Sequence, residues 1–217
     1  NNKFLVIKSV FSHLAASDEK EHDTFTKQQI ASFLVMSHQF QNHFDYPILR
    51  HILNSSGIAR FGYAQFEMVR LGIGMYGISS NEYEQMNLQN VSSLKTIVSQ
   101  IKTVSPPDTI GYNRKGVILK PTRVATVPIG YADGYNRKLG NGNGKMIING
   151  QIAPTIGSIC MDMCMLDVTN LNVNEGDEVI VFGDSYSINQ IAKDIGTIPY
   201  EVLTNVSRRV KRVYYQE

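Results

Sequence analysis

The feature of this sequence that most constrains its fold is a change of pattern near residue 88. Before that point, apolar strand-like runs alternate with one long helical pattern, whereas afterwards short β-branched runs recur between turn-forming residues. Alternating strands and helices are typical of a parallel α/β architecture, and regularly spaced short strands are typical of an antiparallel β-domain. The chain is therefore predicted to consist of two parts of different class, residues 1–85 and 86–217.

The first part has the pattern of a barrel segment. Residues 5–15 indicate a buried strand, residues 23–44 have helical spacing, and residues 48–53 and 68–75 indicate two further strands. So few strands cannot close a barrel, so we interpret this part as the C-terminal portion, about a third, of a (β/α)₈ TIM barrel. The apolar stripe of the helix would consist of Ile30, Phe33, Leu34, Met36 and Phe40.

The second part is predicted to be a mostly antiparallel β-domain. One helix interrupts its strands, since Ser187 and Gln190 form a capping box and Gly196 ends the apolar periodicity. A second short helix is predicted at 199–205, and the basic segment 207–212 is interpreted as a solvated face leading into a terminal strand. The strand-like runs are 96–104, 116–118, 123–128, 146–148, 152–156, 163–168 and 178–182.

Composition and charge exclude several classes of protein. The 21 basic and 19 acidic residues nearly cancel, which argues against a nucleic-acid-binding surface. No apolar run approaches the roughly 18 residues of a membrane-spanning helix, and the first residues do not resemble a signal peptide. Cys160 and Cys164 are expected to be buried thiols, and no metal site is expected. We therefore expect a cytoplasmic protein with a small-molecule partner.

Two loops in the first part contain the residues of a phosphate site. Barrel enzymes commonly bind phosphate in the loops after their last two strands, through backbone N–H groups and small side chains. One predicted strand here is followed by Ser55, and another runs into Gly72 and Ile73, whose amides could reach the same anion. Spacing alone leaves open that these are ordinary turn and packing residues. Arg70, a charge in an apolar run, indicates either a functional contact or a structural ion pair.

Longer stretches of this sequence resemble the alanine racemase family. The resemblance implies a barrel followed by a β-domain, with pyridoxal 5'-phosphate as cofactor. It also implies that L-alanine and D-alanine are interconverted, for peptidoglycan synthesis. The similar stretches occur in the family's order and span nearly the whole chain: 10–18 (VFSHLAASD), 51–56 (HILNSS), 68–77 (MVRLGIGMYG), 128–135 (PIGYADGY), 157–162 (GSICMD) and 198–202 (IPYEV).

The resemblance implies that five residues hold the cofactor. The phosphate would be bound by Ser55, by the backbone at Gly72 and Ile73, and by Tyr200. Arg70 would face the pyridine nitrogen. Because an arginine stays protonated, it should leave that nitrogen largely neutral and weaken the cofactor as an electron sink. We expect this to suppress side reactions such as transamination.

The resemblance also implies roles around the substrate. Tyr112 would be a catalytic acid/base, and Met161 would contact the substrate through its backbone. The entrance would be lined by Tyr131, Arg137 and Ile198. In this family the β-domain of one subunit completes the barrel of another, so we expect a homodimer in which Tyr112, Tyr131 and Met161 act across the interface.

Some features depart from the family pattern. The family's cofactor lysine lies on the first barrel strand, and no lysine here matches that motif, so we expect this chain alone to be inactive. Asn113 stands where glycine is usual and Ser158 where arginine is common, which could alter the loop and the entrance. Two alternatives stay open: an amino-acid decarboxylase of the same architecture, and a non-catalytic module that only dimerises.

Overall fold

The structure, a computed structural model, describes residues 4–79 and 81–215. The chain divides into two compact units, Asn1–Val91 and Ser92–Glu217, which are described separately below. Within the described ranges, no helix is long and apolar enough to cross a lipid bilayer.

The first unit contains a parallel pair of strands joined through a long helix. β1 (Ser9–Phe11) pairs in parallel with β2 (Leu49–His51), and α1 (Asp23–Gln41) lies between them in sequence. This strand–helix–strand unit agrees with the predicted α/β class, while a closed barrel stays a prediction. The unit's core consists of Leu14, Ile30, Phe33, Ile52, Leu53, Phe61 and Ala64. Its shorter helices are α2 (Ser55–Arg60), α3 (Glu82–Gln85) and the 3₁₀ helices Lys20–His22, Gly62–Ala64 and Ile73–Tyr76.

The strand predicted at residues 68–75 is wrong. The backbone at Gly72 (φ −110°, ψ −110°) is not extended, and the chain then enters a 3₁₀ helix. The amides of Gly72 and Gly74 donate to the Ser55 hydroxyl oxygen, not to a neighbouring strand. The Arg70 amide still donates to the carbonyl of Leu53, but the Ser55 side chain accepts from the two glycine amides that follow, so the strand does not form.

Two other predictions in this unit are only partly right. The strand predicted at residues 5–15 is limited to β1, and the apolar residues just before it are exposed. Helix α1 is confirmed, but only Ile30 and Phe33 of its predicted apolar stripe are buried. Its other three members, Leu34, Met36 and Phe40, are exposed.

The second unit is built from antiparallel sheets, as predicted. Its strands are β3 (Leu94–Ile97), β4 (Gln100–Val104), β5 (Thr109–Ile110), β6 (Gly116–Val117), β7 (Thr122–Val127), β8 (Lys145–Ile148), β9 (Gln151–Pro154), β10 (Cys164–Asp167) and β11 (Glu178–Phe182). One sheet has the order β3-β11-β8-β9, another has the order β10-β7-β4, and β5 and β6 form a separate pair. The buried faces of β7, β8, β10 and β11 supply the core of this unit.

The single strand predicted at residues 96–104 is two strands in different sheets. β3 pairs with β11 and β4 pairs with β7. Between them, the Val98 amide donates to the carbonyl of Asp177, and the Ser99 amide donates to the carbonyl of Thr126. The backbone changes partner within two residues, so a continuous β-branched run crosses from one sheet to the other.

The predicted helices of the second unit are confirmed, with one local difference. α4 (Ile188–Ile195) is capped by Ser187, whose hydroxyl accepts from the Gln190 amide, and it ends at Gly196 in the left-handed region (φ 68°). The Gln190 side chain donates to Asp194 instead of closing the capping box. α5 (Pro199–Thr204) follows directly.

The terminal strand predicted after residue 207 is wrong within the described part of the chain. Arg212 donates to the carbonyls of Val206, Ser207 and Val210, which holds this segment in a turn. These carbonyl oxygens are thereby occupied by a side chain within the same segment.

Truncating a buried leucine should lower the free energy of unfolding much more than truncating an exposed one. Leu166 in β10 is fully buried, so Leu166→Ala should lower the free energy of unfolding by about 2–5 kcal/mol through lost burial and a residual cavity. Leu119 is 89% exposed, so Leu119→Ala should change it by less than about 0.5 kcal/mol. Urea denaturation followed by circular dichroism measures both. Equal effects of the two variants would contradict the described core.

Candidate functional site

A serine hydroxyl at the start of α2 organises the first candidate site. Ser55 Oγ accepts hydrogen bonds from the amides of Gly72 (2.9 Å) and Gly74 (3.2 Å). Both acceptor positions of the hydroxyl are then used, so its proton can only be donated outward. The Ile73 amide opens a 3₁₀ helix and finds no acceptor among the described residues. The Ser55 O–H and the Ile73 N–H thus remain as two donors for a ligand.

Arg70 is held by neutral acceptors. Its Nη atoms donate to the Ser12 carbonyl (2.7 Å), the His51 carbonyl (3.2 Å) and His51 Nδ1 (2.6 Å). Its guanidinium carbon lies 5.2 Å from the centroid of the Phe11 ring. Within residues 4–79 and 81–215 no carboxylate forms an ion pair with Arg70, so the structural ion-pair alternative is wrong. In the same ranges Nε donates to no group and stays available to a ligand.

His51 is a neutral imidazole with a defined tautomer. Burial lowers the pKa of His51 below its ordinary value, and the charge of Arg70 lowers it further. Because arginine can only donate, Nδ1 must be the acceptor and Nε2 carries the proton. Nε2 is buried and has no hydrogen-bond partner in the described chain. The stacked Phe11 ring, 5.2 Å between centroids, fixes the plane of the imidazole.

These donors fit the cofactor that the resemblance implies. A phosphate group accepts hydrogen bonds, and the Ser55 hydroxyl and the Ile73 amide are donors without a protein acceptor. An unprotonated pyridine nitrogen also needs a donor, and Arg70 Nε is one. Tyr200, the remaining predicted phosphate ligand, lies in the second unit, on α5.

Tyr112 and Met161 are brought together in the second unit. Both line an open cleft of about 450 Å³, and both are exposed, Tyr112 by 70% and Met161 by 53%. The carbonyl of Tyr112 accepts a hydrogen bond from the Ser158 hydroxyl at 3.3 Å. Other residues of this cleft are Gly111, Cys160, Asp162, Met163 and Met165.

The backbone of Met161 is fixed on one side and free on the other. The Ala132 amide donates to the Met161 carbonyl, and the Tyr131 amide donates to the Cys160 carbonyl, both at 3.0 Å. Gly130 packs so closely here that a Cβ would lie 2.4 Å from the carbonyl oxygens of Cys160 and Met161. The Met161 N–H has no acceptor among the described residues, so it can donate to an anion.

The predicted entrance residues occupy two places in this unit. The guanidinium carbon of Arg137 lies 6.0 Å from the centre of the Tyr131 ring, and both residues line a cleft of about 400 Å³. Ile198 and Tyr200 lie together at the start of α5, and both are exposed. The structure does not test the catalytic, binding and entrance roles, which stay predictions.

Three residues of this region escaped the sequence reasoning. Arg209 Nε donates to Asp133 at 2.7 Å and its Nη2 donates to Asp162 at 2.5 Å. The two aspartates lie within the segments that resemble family signatures, which was the one available signal. Arg209 is 76 and 47 residues away from them, so no local spacing could connect the three.

Comparison with known sequences points to one family across both units. Residues 1–80 match the family profile described as alanine racemase, N-terminal domain, and residues 91–214 match alanine racemase, C-terminal domain. The chain is 41% identical to alanine racemase 1 of Clostridium acetobutylicum, covering 97% of this chain and 56% of that protein. It is 39% identical to the alanine racemase of Methanococcus maripaludis, covering 96% and 57%. The chain thus spans about half the length of these curated relatives.

Solved structures show the same relationship in three dimensions. The alanine racemase of Bartonella henselae with covalently bound pyridoxal phosphate is 31% identical, with a TM-score of 0.86 over 96% of this chain and 57% of that one. An alanine racemase of Clostridium difficile is 36% identical, with a TM-score of 0.87 over 96% and 55%. Over the part that it covers, the chain therefore has the alanine racemase fold, and pyridoxal phosphate is confirmed as a cofactor of the family.

The close approach of Gly130 to the Met161 backbone can be tested directly. Gly130→Ala should lower the free energy of unfolding by about 1–3 kcal/mol, because its Cβ would push against two carbonyl oxygens. Gly62→Ala is the matched control, since a Cβ there meets nothing within 4 Å. Thermal unfolding measures both. A Gly130→Ala protein as stable as Gly62→Ala would show that the two segments are not in contact.

Proposed function

Because this chain belongs to the alanine racemase family, we propose that it is part of an enzyme that interconverts L-alanine and D-alanine with pyridoxal 5'-phosphate. When bound, this cofactor stabilises negative charge at the substrate Cα. The chain's own residues would hold the cofactor, bind the substrate carboxylate and carry a proton to one face of Cα. Matches to this family in both units support the proposal.

The observation that carries the proposal is the environment of Arg70. A guanidinium with neutral partners and a free Nε presents a donor to an unprotonated ring nitrogen. Because arginine does not give its proton away, a ring nitrogen bound to Arg70 would keep its lone pair. Such a ring would withdraw less electron density from the substrate Cα, which would favour simple proton exchange over side reactions. The decarboxylase alternative expects a carboxylate in this place, and the sequence has Arg70.

We propose that the phosphate lies against Ser55 and Ile73, with Tyr200 as a third contact. The unpaired Ser55 hydroxyl proton and Ile73 amide support the first two contacts. Gly72 and Gly74 would contribute indirectly, since their amides hold the Ser55 oxygen in place.

We propose that Tyr112 moves the proton and that Met161 binds the carboxylate through its free N–H. Both would serve the barrel of a second copy of this chain, as Tyr131 at the entrance would, in a homodimer. The exposure of Tyr112 and Met161 supports this arrangement, because a side chain that serves a neighbouring subunit must lie on the surface of its own.

The rest of the proposal concerns the complete enzyme. A lysine supplied from outside these 217 residues would hold the cofactor on the other face, so the chain by itself would not racemise alanine. The product would be D-alanine for peptidoglycan, made in the cytoplasm.

Removing the Tyr112 hydroxyl tests the proposed reaction. In the racemase that contains this chain, Tyr112→Phe should lower kcat in both directions by about 10²- to 10⁴-fold, because one face of Cα loses its proton carrier. Polarimetry with L- and D-alanine measures the rates, and the visible absorbance of the protein reports bound cofactor. Tyr63→Phe, at another exposed tyrosine, is the control. Rates within twofold of wild type for Tyr112→Phe would overturn this role.

Removing the Ser55 hydroxyl tests the phosphate contact. Ser55→Ala loses a donor to a charged group, so the dissociation constant of pyridoxal phosphate should rise by roughly 10-fold or more. Ser56→Ala is a matched control one residue along the same helix, where the hydroxyl has no partner in the described chain. Cofactor release during dialysis, followed by absorbance, measures both. Equal retention by the two variants would place the phosphate elsewhere.

A further inference from the structure

Arg209 joins the turn that carries the proposed entrance residue Tyr131 to the segment that carries the proposed substrate contact Met161. Its Nε donates to Asp133 Oδ1 at 2.7 Å, and its Nη2 donates to Asp162 Oδ1 at 2.5 Å. Asp133 ends the turn that begins at Gly130, and Asp162 directly follows Met161. The Arg209 guanidinium therefore bridges the end of the turn at residues 130–133 and the residue that follows Met161.

The two segments also hydrogen-bond to one another through their backbones. The amides of Tyr131 and Ala132 donate to the carbonyls of Cys160 and Met161. The other oxygen of the Asp133 carboxylate accepts from the Gly130 amide at 2.9 Å, which closes the turn. The turn is therefore held in shape by its own hydrogen bond. Arg209 then ties Asp133, at the end of the turn, to Asp162, the residue after Met161.

We propose that Arg209 is a positioning residue for the proposed racemisation, acting by fixing the Met161 N–H where it binds the substrate carboxylate. This inference rests on the function proposed above. The Met161 N–H shares its peptide plane with the Cys160 carbonyl, which accepts a hydrogen bond from the Tyr131 amide. Because Arg209 ties Asp162 to the turn that carries Tyr131, this peptide plane has little freedom to rotate. Its N–H, which has no acceptor in the described chain, then points in a fixed direction.

Arg209 and its two carboxylate partners, Asp133 and Asp162, form a clamp whose two arms differ in burial. The Asp133 side chain is only 13% exposed, whereas that of Asp162 is 55% exposed. Burial raises the pKa of Asp133, but its hydrogen bonds from Arg209 and the Gly130 amide lower it by more, so the net pKa lies below the ordinary value. Asp133 is therefore a fixed anion that anchors Arg209, and Asp162 is the arm that transmits this anchoring to Met161.

An arginine is needed for this geometry. Its planar fork can donate to two carboxylates at once in fixed directions, whereas a lysine ammonium on a flexible chain cannot hold both. The side chain is half exposed, so its own contribution to stability should be small. We expect Arg209 to control the direction of the Met161 N–H, and a measurement of substrate binding will detect this effect best.

The test uses Arg209→Gln in the cofactor-loaded racemase, with Arg208→Gln as the control. Arg208 is exposed, adjacent and equal in charge, and in the described chain it has no partner. Propionate, which is alanine without its amino group, serves as the carboxylate probe. For Arg209→Gln we expect KM for alanine and the inhibition constant of propionate to rise together by roughly 10-fold, with kcat and cofactor absorbance changed less than twofold. Arg208→Gln should match wild type in all four.

A second variant and a second measurement separate positioning from folding. Asp162→Ala removes only the exposed arm, because alanine has no acceptor for Arg209, and it should reproduce the rise in KM without a fall in melting temperature. Amide hydrogen exchange should be faster at Tyr131 and Ala132 in Arg209→Gln than in Arg208→Gln, whether or not the enzyme racemises alanine.

Each other outcome has a distinct meaning. If the wild-type protein does not racemise alanine, the proposed function fails. The amide exchange rates of Tyr131 and Ala132 then decide by themselves whether Arg209 holds the two segments together. If KM and the propionate constant stay within twofold of wild type in Arg209→Gln, the positioning role is overturned. A fall in kcat that tracks a fall in melting temperature would overturn it as well, since that is the behaviour of a merely structural ion pair.

Discussion

The first unit is arranged around one charge that has no counter-ion within the described chain. The arginine at position 70 is satisfied by carbonyl oxygens and an imidazole, and these acceptors come from the ends of both parallel strands. Removing a charge from water is costly unless it is hydrogen-bonded, so the strand ends must stay where these acceptors can reach it. Since no carboxylate neutralises the guanidinium, its field acts on whatever binds beside it.

In both units, hydrogen bonds within the protein fix a loop and leave a few donors of that loop unused. The Ser55 oxygen accepts hydrogen bonds from two amides, and the proton of the hydroxyl is left without an acceptor in the described chain. The turn at residues 130–133 donates to two carbonyls of the neighbouring segment, and the Met161 N–H of that segment is left without an acceptor in the described chain. Donors that the protein has fixed but not satisfied need no reorganisation when an anion arrives, which is the basis of pre-organised binding.

The parts of the fold that depend on local sequence could be predicted. The second-unit helix α4 was predicted because a serine cap and a terminal glycine lie next to its apolar face. The antiparallel strands were predicted because their alternation reports one buried face. The run at 68–75 could not be assigned from apolar character alone, since the deciding contact is the hydroxyl of Ser55. The clamp at Arg209 lay beyond prediction because folding, not spacing, brings its three residues together.

Two of the departures from the family pattern, at residues 113 and 158, have a local structural explanation. Asn113 adopts the left-handed conformation (φ 55°, ψ 21°), where glycine is freest and asparagine is among the best-tolerated alternatives. The loop after Tyr112 can therefore keep a glycine-like backbone with a larger side chain. The Ser158 hydroxyl donates to the Tyr112 carbonyl, which ties this loop to the segment before Met161. The serine at 158 carries no charge, and its hydroxyl supports the backbone of the residue proposed to move the proton.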